Sequence, residues 1–131
     1  MRFALLISFL AIAAPAFAER VWLSPEDFEA RVASRSVQVF DEIGGLFGTE
    51  HFLPNKHAVW QRIGESQCYS GTWAAQNDQI CFRYEQGLGN CFRYYLDGDQ
   101  MVSVDFVAGH PTTTVRNVTV INQVPPTCSS K

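Results

Sequence analysis

Three histidines, His51, His57 and His110, are the side chains best suited to metal or acid–base chemistry in this sequence. Glu50 precedes His51, and Asp105 lies in a predicted strand before His110, so carboxylates accompany two of the imidazoles. Metal sites do combine His with such carboxylates. All of these residues nevertheless fall near predicted turns, where exposed polar side chains are expected. We therefore predict no metal ligand, no cofactor and no catalytic residue among them.

Motifs for nucleophilic catalysis and for nucleotide binding are missing from the sequence. It has no Gly-x-Ser-x-Gly elbow to present a serine nucleophile. No glycine-rich loop opens a helix to receive a phosphate group. The sequence therefore indicates a non-catalytic binding protein, with an enzyme of unrecognised site as a further alternative.

Aromatic and arginine side chains offer a different kind of site, one that binds without catalysis. The chain contains 10 Phe, 4 Tyr and 3 Trp, and most of these rings are expected in the core, since small barrels fill with large side chains. Some rings are instead candidates to line a cavity or an exposed contact patch, and two arginines are candidates to bind an anion or a partner. The candidate binding residues are Trp22, Trp60, Tyr95, Arg83 and Arg93.

Turn residues at steady spacing divide the chain after residue 36 into about eight short strands. A helix is predicted before them, over residues 25–33, because Ser24 can cap it and Pro25 suits its first position. Phe28 and Val32, four residues apart, would share its buried face. This order predicts an all-β fold, an antiparallel up-and-down meander forming a barrel or a curled sheet. The predicted strands cover residues 36–42, 48–53, 57–63, 68–75, 80–85, 91–96, 101–107 and 113–122.

The four cysteines predict two disulfides, because their number is even and no pair has the C-x₂-C spacing of a zinc site. A two-residue loop at 77–78 places Trp73 opposite Phe82. The resulting inner layer contains Trp73, Phe82, Tyr84, Phe92 and Tyr94.

Placing Tyr84 opposite Phe92 separates Cys81 from Cys91 by roughly 13 Å, beyond the ~7 Å limit for a disulfide. This register favours Cys68–Cys91 with Cys81–Cys128. A shift of two residues on each strand gives the alternative, Cys81–Cys91 with Cys68–Cys128.

Three cysteines stand in a distinctive context, which reads Cys-x-x-Gly-x-Trp from Cys68, Cys-Phe-x-Tyr from Cys81, and then Cys91. Residues 49–99 in this respect resemble a group of small secreted alphaproteobacterial proteins that are classed as domains of unknown function. Members typically carry Trp where this chain has Phe92. The resemblance implies a β-rich fold and a periplasmic or secreted location, and it carries no catalytic residues.

The N-terminus has the three parts of a cleavable signal peptide over residues 1–18. Arg2 is followed by an apolar run over 3–14, and Ala16-Phe17-Ala18 matches the A-x-A cleavage pattern. The apolar run is too short to span a bilayer of ~30 Å. Cleavage would leave residues 19–131, enough for one small domain in the periplasm or outside the cell.

The charge pattern of this domain indicates which classes of binding partner are not expected. The net charge is −3 and both signs are spread along the chain, so neither nucleic acid nor a membrane surface is an expected partner. We predict a protein-interaction module, such as a periplasmic inhibitor, with a carrier of a small apolar ligand in the barrel interior as the alternative. A filled barrel would favour the first function, and a cavity would favour the second.

Overall fold

The computed structural model describes residues 20–87 and 89–128, and most of these residues lie in antiparallel strands. The predicted signal peptide, 1–18, lies outside the described residues. The elements in chain order are β1 (Val21–Trp22), α1 (Pro25–Val32), β2 (Arg35–Phe40), β3 (Leu46–Phe52), β4 (His57–Arg62), β5 (Cys68–Gln76), β6 (Gln79–Tyr84), β7 (Cys91–Asp97), β8 (Gln100–Val107) and β9 (His110–Asn122).

Strands β2 to β9 form a closed, eight-stranded, up-and-down barrel. Each strand pairs antiparallel with the next, and β9 returns to pair with β2. The predicted all-β meander is therefore confirmed. The sequence did not indicate β1, a two-residue strand that pairs with β7 at Tyr95 and Leu96, beyond the point where β6 ends its own pairing with β7.

Helix α1 covers one end of the barrel, and its local sequence explains where it begins and ends. Ser24 accepts a hydrogen bond from the backbone N–H of Asp27 (3.1 Å), and Pro25 occupies the first turn, as predicted. Phe28 and Val32 are buried against the barrel. The helix ends as Ala33 leaves the helical conformation. No helix in the described part of the chain is long and apolar enough to span a bilayer.

The β5–β6 hairpin has the predicted register. Asn77 and Asp78 both adopt positive φ (49° and 63°), as a two-residue type I′ loop requires, and Trp73 lies opposite Phe82. This register sets one face of the hairpin inside the barrel. The inner layer of Trp73, Phe82, Tyr84, Phe92 and Tyr94 is confirmed as buried or packed against the core.

The predicted register between β6 and β7 is wrong. Phe92 lies opposite Ile80, not Tyr84, and Cys81 lies directly opposite Cys91. The last residues of β6, up to Tyr84, pair only with β5 and not with β7. The connection from β6 to β7 is therefore longer than a tight hairpin loop, and this changes which residues lie opposite each other. This connection passes close to β6 at Gly89, where a Cβ would lie 2.3 Å from the carbonyl oxygen of Phe82.

The disulfides follow from this register and are those of the alternative pairing. Cys81 pairs with Cys91 (Cα–Cα 4.0 Å), and Cys68 pairs with Cys128 (Cα–Cα 5.5 Å). The favoured pairing, Cys68–Cys91 with Cys81–Cys128, is therefore corrected. The Cys68–Cys128 bridge fixes the C-terminal segment 123–128 to the outer face of the barrel.

Peptide mapping without reduction should recover these two bridges. Trypsin together with a protease that cuts before Asp78 places the four cysteines on separate peptides, which span residues 63–77, 78–83, 84–93 and 117–131. We expect 78–83 linked to 84–93, and 63–77 linked to 117–131. A peptide joining 63–77 to 84–93 would contradict the observed register.

Candidate functional site

The barrel is not filled by its side chains, and a cavity of about 300 Å³ remains inside it. It extends from Phe28 on α1 to a mouth at Arg62, at the far end of β4, and the exposed residues Gly89 and Asn90 also line it. Aromatic rings dominate the lining. They come from Phe28, Phe47, Phe52, Trp60, Tyr69, Phe82, Tyr84, Phe92 and Tyr94.

Four neighbouring strands contribute one row of side chains to this lining. Val37 lies opposite Glu50, Glu50 opposite Trp60, and Trp60 opposite Tyr69. Because side chains directly opposite each other on one face of a sheet are close neighbours, the row brings a carboxyl group beside an indole ring. Gly48 makes room for this ring, since a Cβ there would lie 2.4 Å from a ring carbon of Trp60.

Glu50 places a carboxyl group in the apolar interior. The side chain is 5% exposed, and its Oε2 accepts a hydrogen bond from the Tyr84 hydroxyl (2.6 Å). Its Oε1 is buried and has no hydrogen-bond partner among the described residues. Burial raises the pKa of Glu50 to about 8, and the bond from Tyr84 opposes this rise. The cavity wall therefore holds a carboxyl group that is mainly protonated at neutral pH.

Two tyrosines near Glu50 remain neutral. Burial raises the pKa of Tyr84 above its ordinary value, and the Glu50 carboxyl raises it further. Burial and the same carboxyl also raise the pKa of Tyr94. Both phenols therefore act as hydrogen-bonding groups that carry no charge at neutral pH.

Two arginines lie at the mouth, and each already has an acidic partner. The guanidinium groups of Arg62 and Arg116 stack over the same ring, that of Phe47, at 5.0 and 4.7 Å from its centroid. Arg116 donates a hydrogen bond to Asp105 (3.0 Å), and Arg62 lies 3.6 Å from Glu65. The charges at the mouth are thus balanced before any ligand enters.

The predicted binding residues lie in different places. Trp60 lines the cavity, and Arg83 is exposed on the outer face of β6. Arg93 and Tyr95 lie on the outer face of β7, where both contact Trp22: the guanidinium is 4.5 Å from a ring centroid, and the two rings are 5.5 Å apart. We call Trp22, Arg93 and Tyr95 the outer aromatic patch. The structure therefore brings three of the five candidates together, Trp22, Arg93 and Tyr95, and places Trp60 in the cavity instead.

The three histidines are not brought together. His51 is buried on the outer face of β3, where its Nδ1 lies 3.0 Å from the Ser36 hydroxyl, and burial lowers its pKa. The backbone N–H of Val124 in the C-terminal segment also bonds to this hydroxyl (3.2 Å). His57 and His110 are exposed at the starts of their strands. Among residues 20–87 and 89–128, no three His, Cys, Asp or Glu side chains are placed to hold a metal ion.

Glu50 is the site residue that the sequence analysis did not select. In the sequence it stands out only as a carboxylate beside His51, but the two side chains point to opposite faces of β3. The alternation of side chains along a strand could have indicated its position. Residues two apart point to the same face, so Glu50 shares a face with Phe52. In the structure both side chains are buried, with Phe52 1% and Glu50 5% exposed.

Comparisons of the chain with family models, curated proteins and solved structures give no match. The resemblance to small secreted alphaproteobacterial proteins therefore stays a prediction.

Proposed function

We propose that this protein binds a small molecule with an apolar body in the interior of its barrel. The observation that carries the proposal is the aromatic-lined cavity of about 300 Å³ with the unpartnered Oε1 of Glu50 in its wall. Ligand sites are typically concave and apolar, with few polar groups that fix orientation, and their volumes begin at about 300 Å³. A well-packed interior leaves few voids larger than a water molecule, so a cavity of this size favours a ligand.

A protein-interaction module is the second candidate function, and one observation favours it. The outer aromatic patch combines Trp, Tyr and Arg, the residue types enriched at the centres of protein interfaces. The cavity favours the carrier over an inhibitor, since a barrel that acts only through its surface has no need of an open interior. Both candidates are binding functions without catalysis.

We also propose that the chain acts outside the cytoplasm, in the periplasm or after secretion. The predicted signal peptide at 1–18 supports this location. The two disulfides support it as well, because such bonds persist in oxidising compartments and are rare in the cytosol.

A fluorescent apolar probe tests the proposed binding function. N-phenyl-1-naphthylamine is uncharged at neutral pH and brightens in apolar surroundings, so we expect a saturable rise in its fluorescence with the wild-type protein. Val118→Phe should weaken this binding at least about tenfold, because Val118 lines the cavity and a ring there occupies its volume.

Thr119→Phe is the matched control. Thr119 is the next residue on β9 and is exposed on the outer face, so the same ring added there leaves the cavity open. Thermal unfolding of both variants checks that each is folded at the assay temperature. Equal probe binding by the two folded variants would contradict a site in the barrel interior.

A further inference from the structure

We propose that the ligand is a small organic amine whose ammonium group pairs with Glu50 and whose apolar body lies among the aromatic rings of the barrel. This inference rests on the proposed function, since it names the chemical class that the same cavity binds. It follows from three features of the lining: the unpartnered oxygen of Glu50, the aromatic rings that line the same cavity, and the balance of charge.

The unpartnered oxygen of Glu50 gives the ammonium group a defined partner once the carboxyl turns this buried atom toward the cavity. Oε2 of Glu50 is engaged by Tyr84, while Oε1 is buried without a partner, and a buried polar atom in that condition is costly. An ammonium group is a donor only, with three N–H bonds, and an ionised carboxylate is an acceptor only. The pair therefore satisfies Oε1 through a charge-assisted hydrogen bond, which is about twice as strong as a neutral one.

The rings beside Glu50 suit the rest of a cationic head group. Trp60 lies directly opposite Glu50 in the β3–β4 register, and Tyr84 is bonded to it. Both side chains line the same cavity, as does Tyr94. The faces of aromatic rings attract cations, and this attraction is strongest in a desolvated site. A carboxylate in a cavity lined by aromatic rings thus favours an ammonium group over an alcohol of the same shape.

The balance of charge separates an amine from an anion. In the described part of the chain, the charged residues that line the cavity are Glu50, Arg62 and Arg116, and each arginine has its own acid, Glu65 or Asp105. With an ammonium ligand and ionised Glu50, every charge at the site has a partner. A carboxylate ligand would instead find both arginines already paired with acids. It would also lie near the carboxyl group of Glu50, so its own charge would be buried without a partner.

Binding an ammonium group requires Glu50 to release its proton. Because burial raises the pKa of Glu50 to about 8, the carboxyl is about nine-tenths protonated at pH 7, and ionising it there costs about tenfold in affinity. The titratable and charged groups that face it across the cavity are Tyr69 of β5, Tyr84 of β6, Tyr94 of β7, Arg62 of β4 and Arg116 of β9. Because half of the carboxyl groups are ionised at a pH equal to the pKa, amine affinity should rise about fivefold from pH 7 to pH 8.

Three probes of similar size and different charge test the ligand class: 2-phenylethylamine, 2-phenylethanol and 3-phenylpropanoate. Each is titrated at pH 8 by calorimetry and by displacement of N-phenyl-1-naphthylamine. We expect the amine to bind at least about tenfold more tightly than the alcohol and the acid. Glu50→Gln keeps the shape and an acceptor for Tyr84 but cannot ionise, so in this variant the amine should bind no more tightly than the alcohol.

Tyr84→Phe is the second variant. It removes the hydroxyl that engages Oε2 but keeps the carboxyl, so the preference for the amine should persist. If the naphthyl probe binds but the alcohol or the acid equals the amine, or if Glu50→Gln keeps the preference, the amine class is overturned while the cavity remains a binding site. If the naphthyl probe itself fails to bind in the interior, the proposed function fails as well.

Discussion

Replacing Phe28 by Ala is expected to lower the free energy of unfolding by about 3–5 kcal/mol, the range found for deleting a buried phenyl ring. Phe28 is 2% exposed and carries much of the contact between α1 and the barrel. Its ring stacks on Tyr94 (4.2 Å between centroids) and meets the rings of Phe52 and Trp73 edge to face at 5.9 and 5.8 Å. These aromatic pairs stabilise the fold beyond the contribution from burying the apolar surface of the ring.

Phe47→Ala is the control at the opposite end of the barrel. Phe47 also lines the cavity, but it is only half-buried at the mouth, so its removal uncovers less apolar surface and should cost clearly less. Urea unfolding of the two variants and the wild type gives the comparison. Equal losses would mean that α1 does not close the barrel as the structure describes.

The contribution of Glu50 to the free energy of unfolding is expected to fall as the pH rises from about 4.5 to about 8. The pKa of Glu50 is raised in the folded protein to about 8, from an ordinary value of 4.5, so the folded state keeps a proton that the unfolded chain has released. An acid shifted in this direction stabilises the fold most at low pH, and this contribution declines until the folded pKa is passed. The slope should be about 1 kcal/mol per pH unit within that window.

Glu50→Gln isolates this contribution, because an amide of the same shape cannot titrate. The difference in unfolding free energy between wild type and variant should be constant below about pH 4.5. Between about pH 4.5 and about pH 8 the wild type should lose stability steadily relative to the variant. Above about pH 8 the difference should be constant again. A difference that does not depend on pH would show that Glu50 is solvated in the folded protein.

The features that the sequence predicted correctly are those decided by short-range interactions. The start of α1 depends on Ser24 and Pro25, within one helical turn. The β5–β6 register depends on Asn77 and Asp78, which accept the positive φ of a tight loop. Once that register is set, the alternation along each strand predicts the inner aromatic layer.

The features that were missed depend on contacts between distant parts of the chain. The β6–β7 register, and with it the disulfide pairing, depends on a connection that runs on past Tyr84. Tyr84 itself turns inward to meet Glu50, 34 residues earlier. The cavity arises because eight strands close into a barrel whose inner rings do not fill it. The period of the strands says which side chains point inward, but not how much space remains among them.

A crystal structure of the protein soaked with N-phenyl-1-naphthylamine tests the central claim most directly. We predict electron density for the probe inside the barrel, in contact with Trp60 and within reach of Glu50. Density at the outer aromatic patch alone, with the interior closed by Phe47 and Trp60, would contradict a ligand-binding barrel.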